Sequence, residues 1–149
     1  KPHKVDNVSP IAEVEGTPVQ HAIIGTCTNG RIEDLEVAAR ILDGKKIAHG
    51  MTLTISPASK AVYIEAIHRG YVETFLRAGA TIAIPGCSGC SGGAYVGIPA
   101  DGEAVITTAN RNFKGRLGNA NSFLYLASPA TVAASALTGC IEDSRNYVR

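Results

Sequence analysis

The sequence predicts an α/β domain, a three-layer sandwich on a mostly parallel sheet, and three observations predict it. Short apolar runs alternate with segments of helical periodicity, glycines fall where helices should stop, and short polar loops join the two. A length of 149 residues suits one domain that buries a core without disulfides. Hydrophobic residues make up 45% and charged residues 18%, and 14 Lys plus Arg against 13 Asp plus Glu leave a net charge of +1. That balance argues against the basic footprint of a nucleic-acid binder and against an acidic disordered tail. No apolar run has the length of a membrane helix, and KPHKVDNVSP lacks the apolar centre of a signal peptide, so the chain reads as soluble and cytoplasmic, with no membrane partner.

The elements follow in order. Residues 1–18, with Pro2, Pro10 and Gly16, read as an extended lead-in from domains further upstream, and residues 19–149 read as the single α/β domain. Val19 to Gly25 is an apolar run, and Arg31 to Leu42 sets Ile32, Leu35, Ala39 and Leu42 at helical spacing. Asn29 or Gly30 is the expected cap, Glu33 and Asp34 suit the first turn, and Gly44 supplies the stop. Met51 to Ser56 alternates as a strand, and Lys60 to Arg69 reads as a helix stopped by Gly70. A short helix with Val72, Phe75 and Leu76 on its apolar face ends at Gly79. Ala80 to Pro85 then forms a third strand running into GCSGCSGG. Ala104 to Thr108 is a weaker strand, and Ser128-Pro129 opens a last helix that Gly139 closes.

Functional loops of such sheets collect at the carboxyl ends of the strands, where this reading places both cysteine loops. Cys27, Cys87 and Cys90 can converge only if those loops are neighbours. Thiolates are soft ligands that select zinc, copper or iron–sulfur clusters, and the small residues of CSGCSGG let backbone approach a bulky cluster. Zinc wants a fourth Cys or His, and His3, His21, His49 and His68 show no ligand spacing. A redox dithiol wants its CxxC at a helix start, and Ser91-Gly92-Gly93 is a poor one. A plain buried thiol is the best reading of Cys140. Thr107 to Arg116 (TTANRNFKGR) concentrates amide and guanidinium donors, so Asn110, Arg111 and Arg116 are candidates to bind a small polycarboxylate. The same segment also reads as a solvated turn, and Asn112 and Lys114 are assigned no more than that.

Four motifs carry a resemblance: IGTCTNGRIEDL, the CxxC of Cys87 to Cys90, TANRNFKGRLG and YLASPATVAASALTG. In that order they resemble the aconitase superfamily, and within it the branch of 3-isopropylmalate dehydratase large subunits and their homoaconitase relatives. The resemblance implies an aconitase-like iron–sulfur domain in which Cys27, Cys87 and Cys90 hold a [4Fe-4S] cluster with one iron left open. It implies that Asn110, Arg111 and Arg116 bind substrate, and that the reaction is reversible dehydration of a hydroxy-polycarboxylate such as isopropylmalate, or homoaconitate. It further implies two upstream domains of the large subunit, and a small subunit bringing a swivelling domain and the base. No catalytic base is assigned within this chain, which alone is expected to be inactive. Ser88-Gly89 stands where many members have Gly-Pro. The competing reading is a module whose cluster or thiols sense iron or oxidant; near-neutral charge argues against RNA as its partner.

Overall fold

A computed structural model of the chain describes residues 1–88, 90 and 96–147. Among them are five strands, β1 (His21–Gly25), β2 (Thr52–Ser56), β3 (Thr81–Ile82), β4 (Ala104–Thr107) and β5 (Phe123–Leu126). The α-helices are α1 (Ile32–Leu42), α2 (Lys60–His68), α3 (Tyr71–Ala78) and α4 (Pro129–Thr138). The strands form one sheet in the order β3-β2-β1-β4-β5, and every pairing is parallel. The chain thus leaves β1 in one direction through β2 to β3, then crosses back to lay β4 on the other side of β1. That reversal creates a crevice outside the carboxyl ends of β1 and β4.

Alternation along the strands decides the packing. Ala22 and Ile24 of β1, Leu53 and Ile55 of β2, and Ala104 and Ile106 of β4 face one way. They meet Leu35 and Leu42 of α1, Ala66 of α2, Phe75 of α3 and Val132 of α4 in one apolar cluster. Ile23, Val105 and Leu124 face the other way and are met by Leu117 and Val96. The sequence predicts a three-layer sandwich. Among the described residues, all four helices lie in the first cluster, and the third layer is built of loop residues.

Boundaries moved for local reasons. The helix α1 is capped by Arg31 rather than by Asn29 or Gly30, because the Asp34 carboxylate reaches back to accept from the N–H groups of Gly30 and Arg31, each at 3.0 Å. Only Thr81–Ile82 of the expected Ala80 to Pro85 run pairs as strand, although Ala83 N–H still donates to the Ile55 carbonyl at 2.8 Å. Strand β5 was not expected: its four residues follow the polar, turn-prone NANS, which hides so short a period. Helix α4 begins as expected, with the Ser128 hydroxyl accepting from Thr131 N–H at 3.2 Å. The expectation that Ser91-Gly92-Gly93 does not open a helix lies outside the described residues.

The lead-in packs on the domain. Ile11 and Val14 touch the main core, and the Gly16 and Ile141 N–H groups bond across to Ile141 and Thr17 carbonyls. Asn112, assigned above to a solvated turn, is 1% exposed. Its amide donates to the carbonyls of Lys1, Lys4 and Leu124 at 2.7, 3.4 and 3.4 Å, so it pins the lead-in to the sheet. The sequence density of donors concealed which amide points inward.

At the amino ends of the strands, His21 joins three elements. Its Nε2–H donates to Glu103 at 2.9 Å, and its Nδ1 lies 2.7 Å from the Thr52 hydroxyl. The His21 ring, followed by the Ala100 N–H, holds the Glu103 carboxyl below the usual carboxylate range. A depressed carboxyl stabilises the fold above its unfolded pKa of about 4.3, and that contribution is lost as pH falls through the lower folded value. Glu103→Gln is therefore expected to lower the urea midpoint at neutral pH and to leave a shallower loss on acidification below about pH 4.3. Parallel acid limbs in the two proteins would exclude this role.

Candidate functional site

The two cysteine loops leave the carboxyl ends of β1 and β3, which are not adjacent, because β2 lies between them. They meet over the end of β2. The Ser56 carbonyl accepts from Thr26 N–H at 3.1 Å, and the Pro57 carbonyl accepts from Gly86 N–H at 2.9 Å. Ala58 N–H returns a bond to the Gly30 carbonyl at 3.0 Å. A third tie comes from β4: the Thr108 hydroxyl accepts from Gly25 N–H at 2.8 Å.

The first loop is tightly built. Gly25 has φ +106°, and a Cβ there would stand 1.9 Å from the Ser56 carbonyl oxygen. Gly30 has φ +94°, and its Cβ would lie 2.7 Å from the same atom. Thr26, fully buried, holds φ +119°, a conformation rare and strained for a β-branched residue. Strain of about 1–3 kcal/mol persists only where the surroundings over-determine it, and such positions gather at functional sites. Thr26 directly precedes Cys27.

All four cysteines are free thiols, Cys27 and Cys87 exposed and Cys90 buried. The Cys87 thiol is pushed up, first by Cys90 and then by Cys27, because a thiolate on either neighbour opposes a second negative charge. The structure thus brings Cys27 and Cys90 each into electrostatic range of Cys87. Among the described residues, no group of three His, Cys, Asp or Glu side chains already stands in metal-holding geometry. A set of neighbouring thiols whose negative charges repel suits a thiophilic cation, which relieves that repulsion on binding. Two residues after Cys27, the Asn29 Oδ1 is buried with no hydrogen-bond partner among the described residues.

The donor loop follows β4, on the other side of the crevice from β2. Asn110 and Arg111 are exposed, and Arg111 lines an open groove of about 490 Å³ with His3, Lys4, Asp6 and Phe113. Arg116 is half-buried, its guanidinium 5.4 Å from the centre of the Phe113 ring. Among the described residues its Nε is buried without a partner and neither arginine forms an ion pair. A buried unpartnered guanidinium N–H is costly, and a carboxylate oxygen is the group that best satisfies it. The turn at Gly115 carries Arg116 back toward Phe113, whereas Arg111 faces the lead-in.

Residues that sequence reasoning did not single out complete the frame: Ser56, Ser88 and Thr108. Each is a small hydroxyl at or near a strand end, a signal too common to select without coordinates.

An all-parallel α/β sheet with thiols and guanidinium donors gathered at the carboxyl ends of its strands defines an α/β domain with a candidate ligand site, and the chain belongs to the aconitase family (aconitate hydratase), whose pattern it matches over residues 2–139. It is 55% identical to 3-isopropylmalate dehydratase large subunit 2 of Archaeoglobus fulgidus, over 99% of this chain and 35% of that protein. It is 57% identical to the probable methanogen homoaconitase large subunit of Methanosarcina mazei, over 97% of this chain and 36% of that protein. With the 3-isopropylmalate dehydratase large subunit of Elusimicrobium minutum the identity is 48%, over 99% and 35%. The chain therefore spans about a third of the length of the curated relatives it matches. None of its described helices is long and apolar enough to cross a membrane.

Proposed function

We propose that the chain is the cluster-bearing part of an iron–sulfur hydro-lyase that reversibly dehydrates a hydroxy-polycarboxylate, with isopropylmalate as substrate. The observation that carries this reading is that the loops bearing Cys27 and Cys87 both bond to the end of β2, at Ser56 and Pro57, in a chain of this family. Cys27, Cys87 and Cys90 would hold a [4Fe-4S] cluster, which supplies a Lewis-acidic iron to labilise a hydroxyl. Asn110, Arg111 and Arg116 bind and orient the substrate's carboxylates, Arg116 through the N–H that has no partner among the described residues. Thr26 and its flanking glycines fix the backbone that presents Cys27.

The proton-removing base lies outside these residues. We assign it to a small subunit, the partner that the name "large subunit" of the relatives implies, and the remaining polar groups to upstream domains of the large subunit. The assembly is placed in the cytoplasm, where four free thiols persist. Homoaconitate is the second substrate reading, favoured by the 57% identity to a protein named as a homoaconitase.

Anaerobic reconstitution with iron and sulfide tests the proposal. About four irons per chain are expected, with an EPR-active three-iron form after mild oxidation, and Cys27→Ser is expected to abolish both. The 149-residue chain alone is expected to show no turnover, and measurable dehydratase activity from it would contradict the assignment of the base. Iron uptake without dehydration of either substrate in the assembled enzyme would favour an iron- or oxidant-sensing module instead. Reduced thiols that take up no iron, even with the rest of the large subunit present, would overturn the cluster reading.

A further inference from the structure

We infer that Ser56 and Ser88 form a latch that sets the second cysteine loop against the first, fixing the relative placement of Cys27, Cys87 and Cys90 before any metal arrives. Ser56 is the last residue of β2 and is fully buried. Its main chain serves the first loop: the carbonyl takes the Thr26 N–H, and Gly25 and Gly30 are packed so closely on it that neither has room for a Cβ. Its side chain serves the second loop. The Ser56 hydroxyl lies 2.9 Å from that of Ser88, which directly follows Cys87.

The direction of this bond follows from the next one. Ser88 donates to the Ile84 carbonyl at 2.6 Å, so its remaining lone pairs accept and the Ser56 O–H is the donor. The relay runs from the end of β2, through Ser88, to the backbone that leads out of β3. Gly86 N–H on the Pro57 carbonyl holds the same segment from its other side, and Cys90 N–H on the Cys87 carbonyl closes the turn. One serine thus contacts both loops with different atoms, and no other described side chain bonds to the residues between Ile84 and Cys90. The hydroxyls need no proton transfer and no contact with substrate, so both are positioning residues.

The inference deepens the cluster reading and rests on it for the iron-loaded form, whereas thiol reactivity tests it without iron. Cys90 is 4% exposed and Cys87 is exposed, so the ratio of their alkylation rates by iodoacetamide reports opening of this loop alone. Ser56→Ala is expected to raise the Cys90 to Cys87 ratio about fivefold, the factor that corresponds to one lost hydrogen bond, and Ser88→Ala, which also loses the Ile84 bond, by at least as much. The double variant should be no faster than Ser88→Ala, since the Ser56–Ser88 bond is already gone there. Ser88→Thr, which keeps the hydroxyl, should restore the original ratio. Because Ser88 is only half-buried, its variants report even where Ser56→Ala fails to fold. In reconstituted protein, air should release iron faster from both alanine variants by a similar factor.

Unchanged ratios in the single variants, effects that multiply in the double variant, or failure of Ser88→Thr to rescue would each overturn the latch. If the unaltered chain takes up no cluster, the cluster reading falls, and the alkylation ratios still decide the latch.

Discussion

Gly25→Ala is expected to destabilise the chain by about 4 kcal/mol or more and to disorder the loop that presents Cys27. Two costs add at this position. The first is conformational: φ +106° lies where an L side chain pays about 1–2 kcal/mol. The second is steric, because the new methyl would stand 1.9 Å from the Ser56 oxygen and 2.8 Å from its carbonyl carbon, which are backbone atoms of a central strand. The strand cannot retreat without losing its pairings with β1 and β3. Gly44→Ala separates the two costs. Gly44 has φ +68° but open space around it, so its replacement should cost only the conformational part, about 1–2 kcal/mol. Urea unfolding of the two variants measures the difference, and equal losses would show that the close approach at Gly25 carries no weight.

Arg116→Leu is expected to reduce kcat/KM in the assembled enzyme by about two orders of magnitude or more. The basis is the ~3 kcal/mol typical of removing one side of a buried, charge-assisted contact. The guanidinium is already placed beside Phe113, its Nε buried without a partner among the described residues, so substrate gains the contact without ordering a side chain. Arg116→Lys keeps the charge but not the planar fork, and should recover only part of the loss. Arg111→Leu should cost less, because that side chain is exposed and hydrated. Steady-state kinetics with isopropylmalate and with homoaconitate check the order; an Arg116→Leu enzyme within threefold of the parent would remove Arg116 from the binding site.

The helices were legible because each has a period and punctuation: Leu35, Ala39 and Leu42 at one spacing, Ser128-Pro129 at one start, Gly79 and Gly139 at two stops. The paired cysteines and the arginine-rich loop were legible because those side chains are scarce and clustered. What stayed hidden depends on contacts far apart in the sequence. Asn112 looks like its neighbours Asn110 and Arg111 until the lead-in folds over it. Ser56 is one serine among several until β3 brings Ser88 beside it. The order β3-β2-β1-β4-β5, with β2 between the strands that carry the two cysteine loops, leaves no trace in periodicity at all.

That strand order also separates the pairings by the length of chain each must close. The pairings of His21 with Thr52 and Thr54 with Thr81 close short stretches of chain, each spanned by helices, and they set side by side the strands from which both cysteine loops leave. The pairing of His21 with Val105 spans a far longer stretch of chain, whose closure costs somewhat more entropy. The guanidinium loop follows that later strand. The two halves of the site therefore rest on separate segments of chain, tied together where the Thr108 hydroxyl takes the Gly25 N–H.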